Sequence, residues 1–171
     1  LEDIVAGYGT FIEQAYAAGC RNLQLDDCSW GVLVDPRAEL FFGADQDGLK
    51  RIKALLLEIN NRVLDAAPAD LTINTHVCRG NFHSTWACKG GYDDVADALL
   101  AQEHVNAFFL EFDDHRSGGF EPLASVPAGK KVVLGPITTK HAQLEEKAKV
   151  IERIHEAAQY VPLENLCLSP Q

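Results

Sequence analysis

The chain has 171 residues, 47% of them apolar, and its 15 Lys and Arg against 25 Asp and Glu leave a net charge of −10. That is enough apolar material for a folded core in one domain or part of a larger one, and an acidic chain with no Lys/Arg cluster has no electrostatic footprint for nucleic acid. No run approaches about 18 apolar residues and LEDIVAGYGT lacks a basic region followed by an apolar one, so neither a membrane span nor a signal peptide is expected; five cysteines, an odd number, suit reduced thiols in the cytoplasm better than a disulfide framework.

Residues 2–18 carry a helical pattern that Gly19 can end. NLQLDD (22–27) is a short, mostly apolar run that closes on Asp26 and Asp27. A second helix is predicted over 46–66, where Leu49, Ile52, Leu56, Ile59 and Val63 recur at three- and four-residue intervals behind the capping candidates Asp45 and Asp47. LTINTH (71–76) reads as a strand that delivers His76 and then Cys78 where it should stop. A third helix is predicted over 92–104, with Asp93 or Asp94 in its first turn, and AFFLEF (107–112) is a strand carrying Glu111 near its end. KVVLG (131–135), a helix over 142–160 and LCLS (166–169) complete the alternation.

Strict alternation of buried strands and helices leaves two architectures, an open doubly wound sheet or a (β/α)₈ barrel. No G-x-G-x-x-G or G-x-x-x-x-G-K follows any strand, which argues against a nucleotide-binding sheet. Polar residues of varied chemistry stand at the strand ends instead: Asp26 and Asp27, His76 and Cys78, Glu111, then Thr138 to Lys140. Barrels carry their active sites on that face. Five strands cannot close a barrel that needs eight and about 250 residues. The expected fold is therefore α/β, the C-terminal part of a TIM barrel, with residues 1–171 as one partial domain beginning in the helix before the fourth strand.

Imidazole, thiolate and carboxylate arriving from separate strand ends are the donors a catalytic zinc uses while keeping a position open for substrate. The i, i+2 spacing aims His76 and Cys78 to one side of an extended backbone. H-x-C alone is equally the pattern of a core histidine beside a buried thiol. Glu111 follows four apolar residues and is costly to bury without a metal or a cation. Asp26 and Asp27 also suit a helix cap or loop, Arg79 and Asn81 suit either substrate contact or loop support, and Trp30, Phe82 and Trp86 suit packing or a stacking wall. Cys20, Cys28 and Cys88 have no partner at metal-ligand spacing, and His83 and His104 read as surface groups.

LQLDDCSW, THVCRGN, FFLEFDDHRSG and the terminal NLCLSPQ resemble, in order, motifs of the C-terminal barrel of cobalamin-independent methionine synthase, and most closely the short stand-alone proteins related to that enzyme. The resemblance implies that Asp26, with Asp27 beside it, binds the substrate amino group and that His76, Cys78 and Glu111 bind Zn²⁺. It places a fourth zinc ligand, a cysteine, immediately after the last strand, one position beyond Gln171; Cys167 is out of register with that motif. Where methionine synthases carry an aspartate and a histidine linked to proton delivery, this chain has Thr138 and Lys140.

The implied reaction is zinc-dependent transfer of a methyl group from a methyltetrahydrofolate-like donor to the thiol of homocysteine, with these small molecules as partners and neither nucleic acid nor membrane. The leaving amine needs a proton, for which Asp113, Asp114 and His115 are the catalytic candidates. Two other readings use the same residues: a non-catalytic barrel fragment or interaction module with an incomplete site, and a metal-assisted hydrolase in which zinc activates water. Open sheet edges in a partial barrel would favour self-association.

Overall fold

The computed structural model describes residues 1–171. Strands β1 (Asn22–Asp26), β2 (Thr72–Val77), β3 (Ala107–Glu111), β4 (Lys131–Ile137) and β5 (Leu166–Pro170) form one sheet, each parallel to its neighbour, in the order β1-β2-β3-β4-β5. That order decides between the two architectures. A doubly wound sheet reverses its strand order at a switch point, whereas sequential parallel strands joined by right-handed crossovers keep every helix on one side, as a barrel does. The molecule is a five-stranded part of a (β/α)₈ barrel, as the sequence implied.

Helices α1 (Glu2–Ala17), α2 (Cys28–Leu33), α3 (Ala38–Phe42), α4 (Gln46–Asp65) and α5 (Lys147–Ala157) supply the outer layer. Asp45 caps α4 by accepting from Gly48 N at 2.7 Å, and the stripe Leu49, Ile52, Leu56 and Val63 faces inward. Alternate strand residues Ile73, Val77, Phe108, Leu110, Val132 and Leu134 point at the helices and join one continuous core with Ile12, Leu49 and Val63. The other set faces the would-be barrel interior; on β1 its members Asn22, Gln24 and Asp26 are exposed, while Asn74, Ala107, Glu111 and Val133 on the next three strands are buried.

Three differences from the sequence reading have physical causes. Helices α2 and α3 are 6 and 5 residues long, too short to display a helical period. The segment predicted as a helix over 92–104 is a 3₁₀ turn (Asp93–Val95) running into a wide π turn (Ala96–Leu100). Val95, Ala96, Ala98, Leu99 and Leu100 are all buried there, more than one face of a regular helix can hide. Strand β4 runs past Gly135 through Pro136, and its register with β5 shifts between Leu134 and Ile137, the kind of irregularity a residue without an N–H requires. No helix is long and apolar enough to cross a membrane.

Candidate metal centre

In a parallel pair, residues in register present their side chains to the same face. Asp26 is in register with His76, and the pairing of Val77 with Leu110 carries on to bring Cys78 level with Glu111, which is itself in register with Gly135. Three strand ends therefore deliver Asp26, His76, Cys78 and Glu111 to one face of the sheet, with Gly135 of β4 beside Glu111. The Asp26–His76 rung is closed by Asp27 N, which donates to His76 O at 2.9 Å.

Asp26, His76 and Cys78 each offer a ligand atom, and the three atoms lie within 4.8 Å of one another. Asp26 Oδ1 stands 2.9 Å from His76 Nδ1, which orients the ring and leaves Nε2 facing Gln171 Oε1 at 3.3 Å. Gly80 N donates to Cys78 Sγ at 3.4 Å. Beside these groups is a cavity of about 400 Å³ lined by His76, Cys78, Asn81, Glu111, Thr139 and Gln171, among others. Gln171 reaches this place because residue 135 is glycine; a Cβ there would run into its side chain.

Glu111 opens onto the same cavity, but its carboxylate is engaged. Oε1 accepts from Arg79 N at 2.8 Å, while Oε2 accepts from Arg116 Nη2 at 2.8 Å and lies 3.6 Å from Lys140 Nζ. The expected cationic partner of this buried acid is thus present. It is not among the three groups whose ligand atoms gather within 4.8 Å.

The proton-donor candidates lie behind that network. Asp113 accepts from Arg116 at 2.7 Å and from Lys140 at 2.9 Å. Burial alone would raise its pKa, but hydrogen bonds from Lys140 and Thr138 and the charges of Arg116 and Lys140 outweigh burial and hold it below the usual carboxylate range. An acid held ionised is a poor proton donor. Asp114 caps the 115–117 turn by accepting from Arg116 N at 2.8 Å, and His115 is exposed; neither lines the cavity. Lys140, which occupies a position where the resemblance led one to look for acid–base machinery, serves instead as a cation for Asp113 and Glu111.

Asp27 parts company with Asp26. It is the N-cap of α2, accepting from Ser29 N at 3.1 Å, and its second oxygen accepts from Asn60 Nδ2 at 2.8 Å. Asn60 also donates to Glu103 Oε1 at 2.8 Å, across a separate cavity of about 370 Å³ under α1 and α4. Burial, then the nearby charge of Asp27, pushes the Glu103 carboxyl up to about 8 against opposing effects of Asn60 and Lys130. Nothing in the local sequence around Glu103 announced this, because the groups that act on it, Asn60 in α4, Asp27 at the start of α2 and Lys130 before β4, are distant in the chain. Cys28 was also missed: it stands at the start of α2, where burial, then the nearby charges of Asp26 and Cys78, raise its thiol's pKa to about 11.

No family model matches the chain. Among curated proteins it is 46% identical over 173 residues to YxjH and 43% identical over 173 residues to YxjG, both from Bacillus subtilis (strain 168) and both named as uncharacterized. The match takes in 99% of this chain but 45% of each relative, so the chain spans less than half the length of the curated relatives it matches. Among solved structures, a Listeria monocytogenes protein described as a candidate vitamin-B12-independent methionine synthase superposes with a TM-score of 0.76 at 33% identity, over 98% of this chain and 46% of that one. Its structural neighbours are methionine-synthase-like proteins. A B12-independent methionine synthase from Shewanella sp. W3-18-1, solved with selenomethionine, shares the fold at a TM-score of 0.67 and 18% identity, over 95% of this chain and 44% of that one. The strand-end row described above therefore sits in a methionine-synthase-like fold.

Proposed function

We propose that this chain is the C-terminal part of a zinc-dependent methyltransferase that moves a methyl group from a methyltetrahydrofolate-like donor to the thiol of a homocysteine-like acceptor. The observation that carries the reading is the gathering of Asp26, His76 and Cys78 within 4.8 Å at the C-terminal ends of adjacent strands, with Glu111 opening onto the same cavity. Imidazole nitrogen, thiolate sulfur and carboxylate oxygen are a zinc donor set. The ring's second nitrogen being engaged by Asp26 is the arrangement that fixes a ligating histidine.

Zinc held by His76, Cys78 and Glu111 would supply the Lewis acidity that keeps a substrate thiol deprotonated at neutral pH. The chain's own residues do the rest. Asp26 holds His76 with one oxygen, and its exposed side is placed to accept from a substrate amino group. Arg116 and Lys140 balance the charge of Glu111, so that a rotation of its carboxylate toward Cys78 starts from a hydrogen-bonded position. Gln171 ends beside His76 Nε2, so a cysteine joined to it would enter the same cavity and complete four protein ligands. In the transfer, the acceptor sulfur forms its bond to the methyl carbon as the carbon–nitrogen bond breaks, and the nitrogen takes the electron pair and a proton. The five cysteines are all free, which suits the reducing cytoplasm.

The test is methyl transfer from methyltetrahydrofolate to homocysteine by the full-length protein, alongside Cys78→Ser. The reading expects methionine formed by the wild type and lost in the variant. Equal turnover in both would sink it, and hydrolysis without methyl transfer would favour the hydrolase.

A further inference from the structure

Between α1, α4 and the outer face of the sheet lies the cavity of about 370 Å³ that Glu103 lines. Leu25 and Thr75 are in register on β1 and β2, one step before Asp26 and His76, so their side chains point to the opposite face of the sheet from the metal centre. The apolar walls of the cavity come from Leu25, from Ile4 and Tyr8 of α1, and from Leu56, Ile59 and Val63 of α4. Ile4 and Tyr8 are half-exposed, so the cavity reaches solvent at α1.

The rest of its wall is polar and short of donors. Asn60 Nδ2 donates to Asp27 Oδ2 and to Glu103 Oε1, both at 2.8 Å, and so spends both of its protons. Glu103 Oε2 and Thr75 Oγ1 have no hydrogen-bond partner in the protein, although Glu103 is 2% and Thr75 1% exposed. Buried polar atoms left in this way are costly, and each calls for an explanation. The nearby cation does not supply one: Lys130 Nζ donates to the Glu103 carbonyl oxygen, not to the carboxylate. Burial and the charge of Asp27 keep that carboxyl up at about 8, and a positive ligand beside it would draw it back toward its ionised form. The oxygens left to accept belong to Glu103, Thr75 and Asn60, and an ammonium has three protons to give.

We propose that this cavity binds a small organic ammonium ion, with its apolar body against α1 and α4 and its head on Glu103, Thr75 and Asn60. The volume falls within the range of small-molecule sites, about 300–1,000 Å³, and apolar walls with a few convergent polar groups are their usual lining. A metal ion fits less well, because Asn60 Nδ2 already stands 2.8 Å from an oxygen of each carboxyl group and turns its protons toward them. An anion would meet the carboxyl groups of Asp27 and Glu103. Asp26 also borders the cavity, but its carboxylate is engaged by His76.

This site stands whether or not the chain transfers methyl groups. The experiment titrates full-length protein by calorimetry with 2-phenylethylamine as the probe and 2-phenylethanol as its neutral counterpart. The expected result is saturable binding of one amine per protein with a Kd of about 0.1–1 mM, and of the alcohol about 10-fold more weakly. Glu103→Gln should bring the amine down to the level of the alcohol. Tyr8→Ala removes part of the half-exposed wall and leaves the buried groups in place, so it serves even if Glu103→Gln does not fold; it should weaken both ligands. No saturable binding below about 10 mM would mean that other parts of the protein fill the cavity, and would overturn the proposal. Equal binding of the alcohol, or amine binding unchanged in either variant, would overturn it as well. Displacement of the probe by homocysteine would move the ammonium to Asp26 and would also contradict the assignment.

Discussion

Two assemblies built around carboxylates stand at the same end of one sheet, and water separates them in character. On β3 and the loop after it, Glu111, Asp113 and Arg116 are nearly inaccessible, with side chains at 3%, 0% and 3% exposure. On β1 and β2, Asp26 and His76 are at 57% and 20%. A buried charge left without a partner is costly, so the carboxylates of the dry assembly are all engaged: Arg79 N, Arg116 and Lys140 serve Glu111. The wet pair can keep unused donor atoms because solvent covers them. The dry assembly thus holds the strand end in shape, and the wet one is where a ligand can bind.

The largest expected effect breaks the dry side. Arg116→Met leaves Lys140 as the one cation paired with Glu111 and Asp113 and should cost about 3–5 kcal/mol of folding stability in urea titration. A loss below about 1 kcal/mol would mean that the buried network does not hold the strand end.

A second prediction concerns Glu103, the other dry acid. Its folded pKa of about 8 lies above the ordinary 4.5, so between those values the unfolded chain releases a proton that the native state keeps. Its contribution to stability is therefore full below 4.5 and falls as pH rises toward 8, by at most about 1.4 kcal/mol per pH unit. Glu103→Gln should flatten that part of the stability–pH curve. An unchanged slope in the variant would remove Glu103 as its source.

The smallest stability effect belongs to the wet side. Asp26→Asn should change folding stability by less than about 1 kcal/mol, yet lower zinc affinity about 10- to 100-fold, because the ring of His76 loses its orienting charge. Equal zinc affinity would show that Asp26 does not support the histidine. A large stability loss would make the two assemblies alike.

How much of this was legible beforehand follows from the range of each signal. The five strands were readable as short apolar runs, and His76 with Cys78 as an i, i+2 pair, because both patterns lie within a few residues. Asp27 as a helix cap was one of two open readings, and Ser29 N settles it. The partners of Glu111 were not readable, since Arg79, Arg116 and Lys140 arrive from three loops. The place of Gln171 over Gly135 and beside His76 was not readable, since it depends on how β5 pairs with β4.

The central claim is that His76 and Cys78 hold a zinc ion, and X-ray absorption at the zinc edge of the full-length protein tests it most directly. The account predicts zinc bound in proportion to protein, with nitrogen at about 2.0 Å and sulfur at about 2.3 Å, and loss of sulfur scattering in Cys78→Ser. A zinc shell of oxygen alone, or one unchanged by Cys78→Ser, would contradict it.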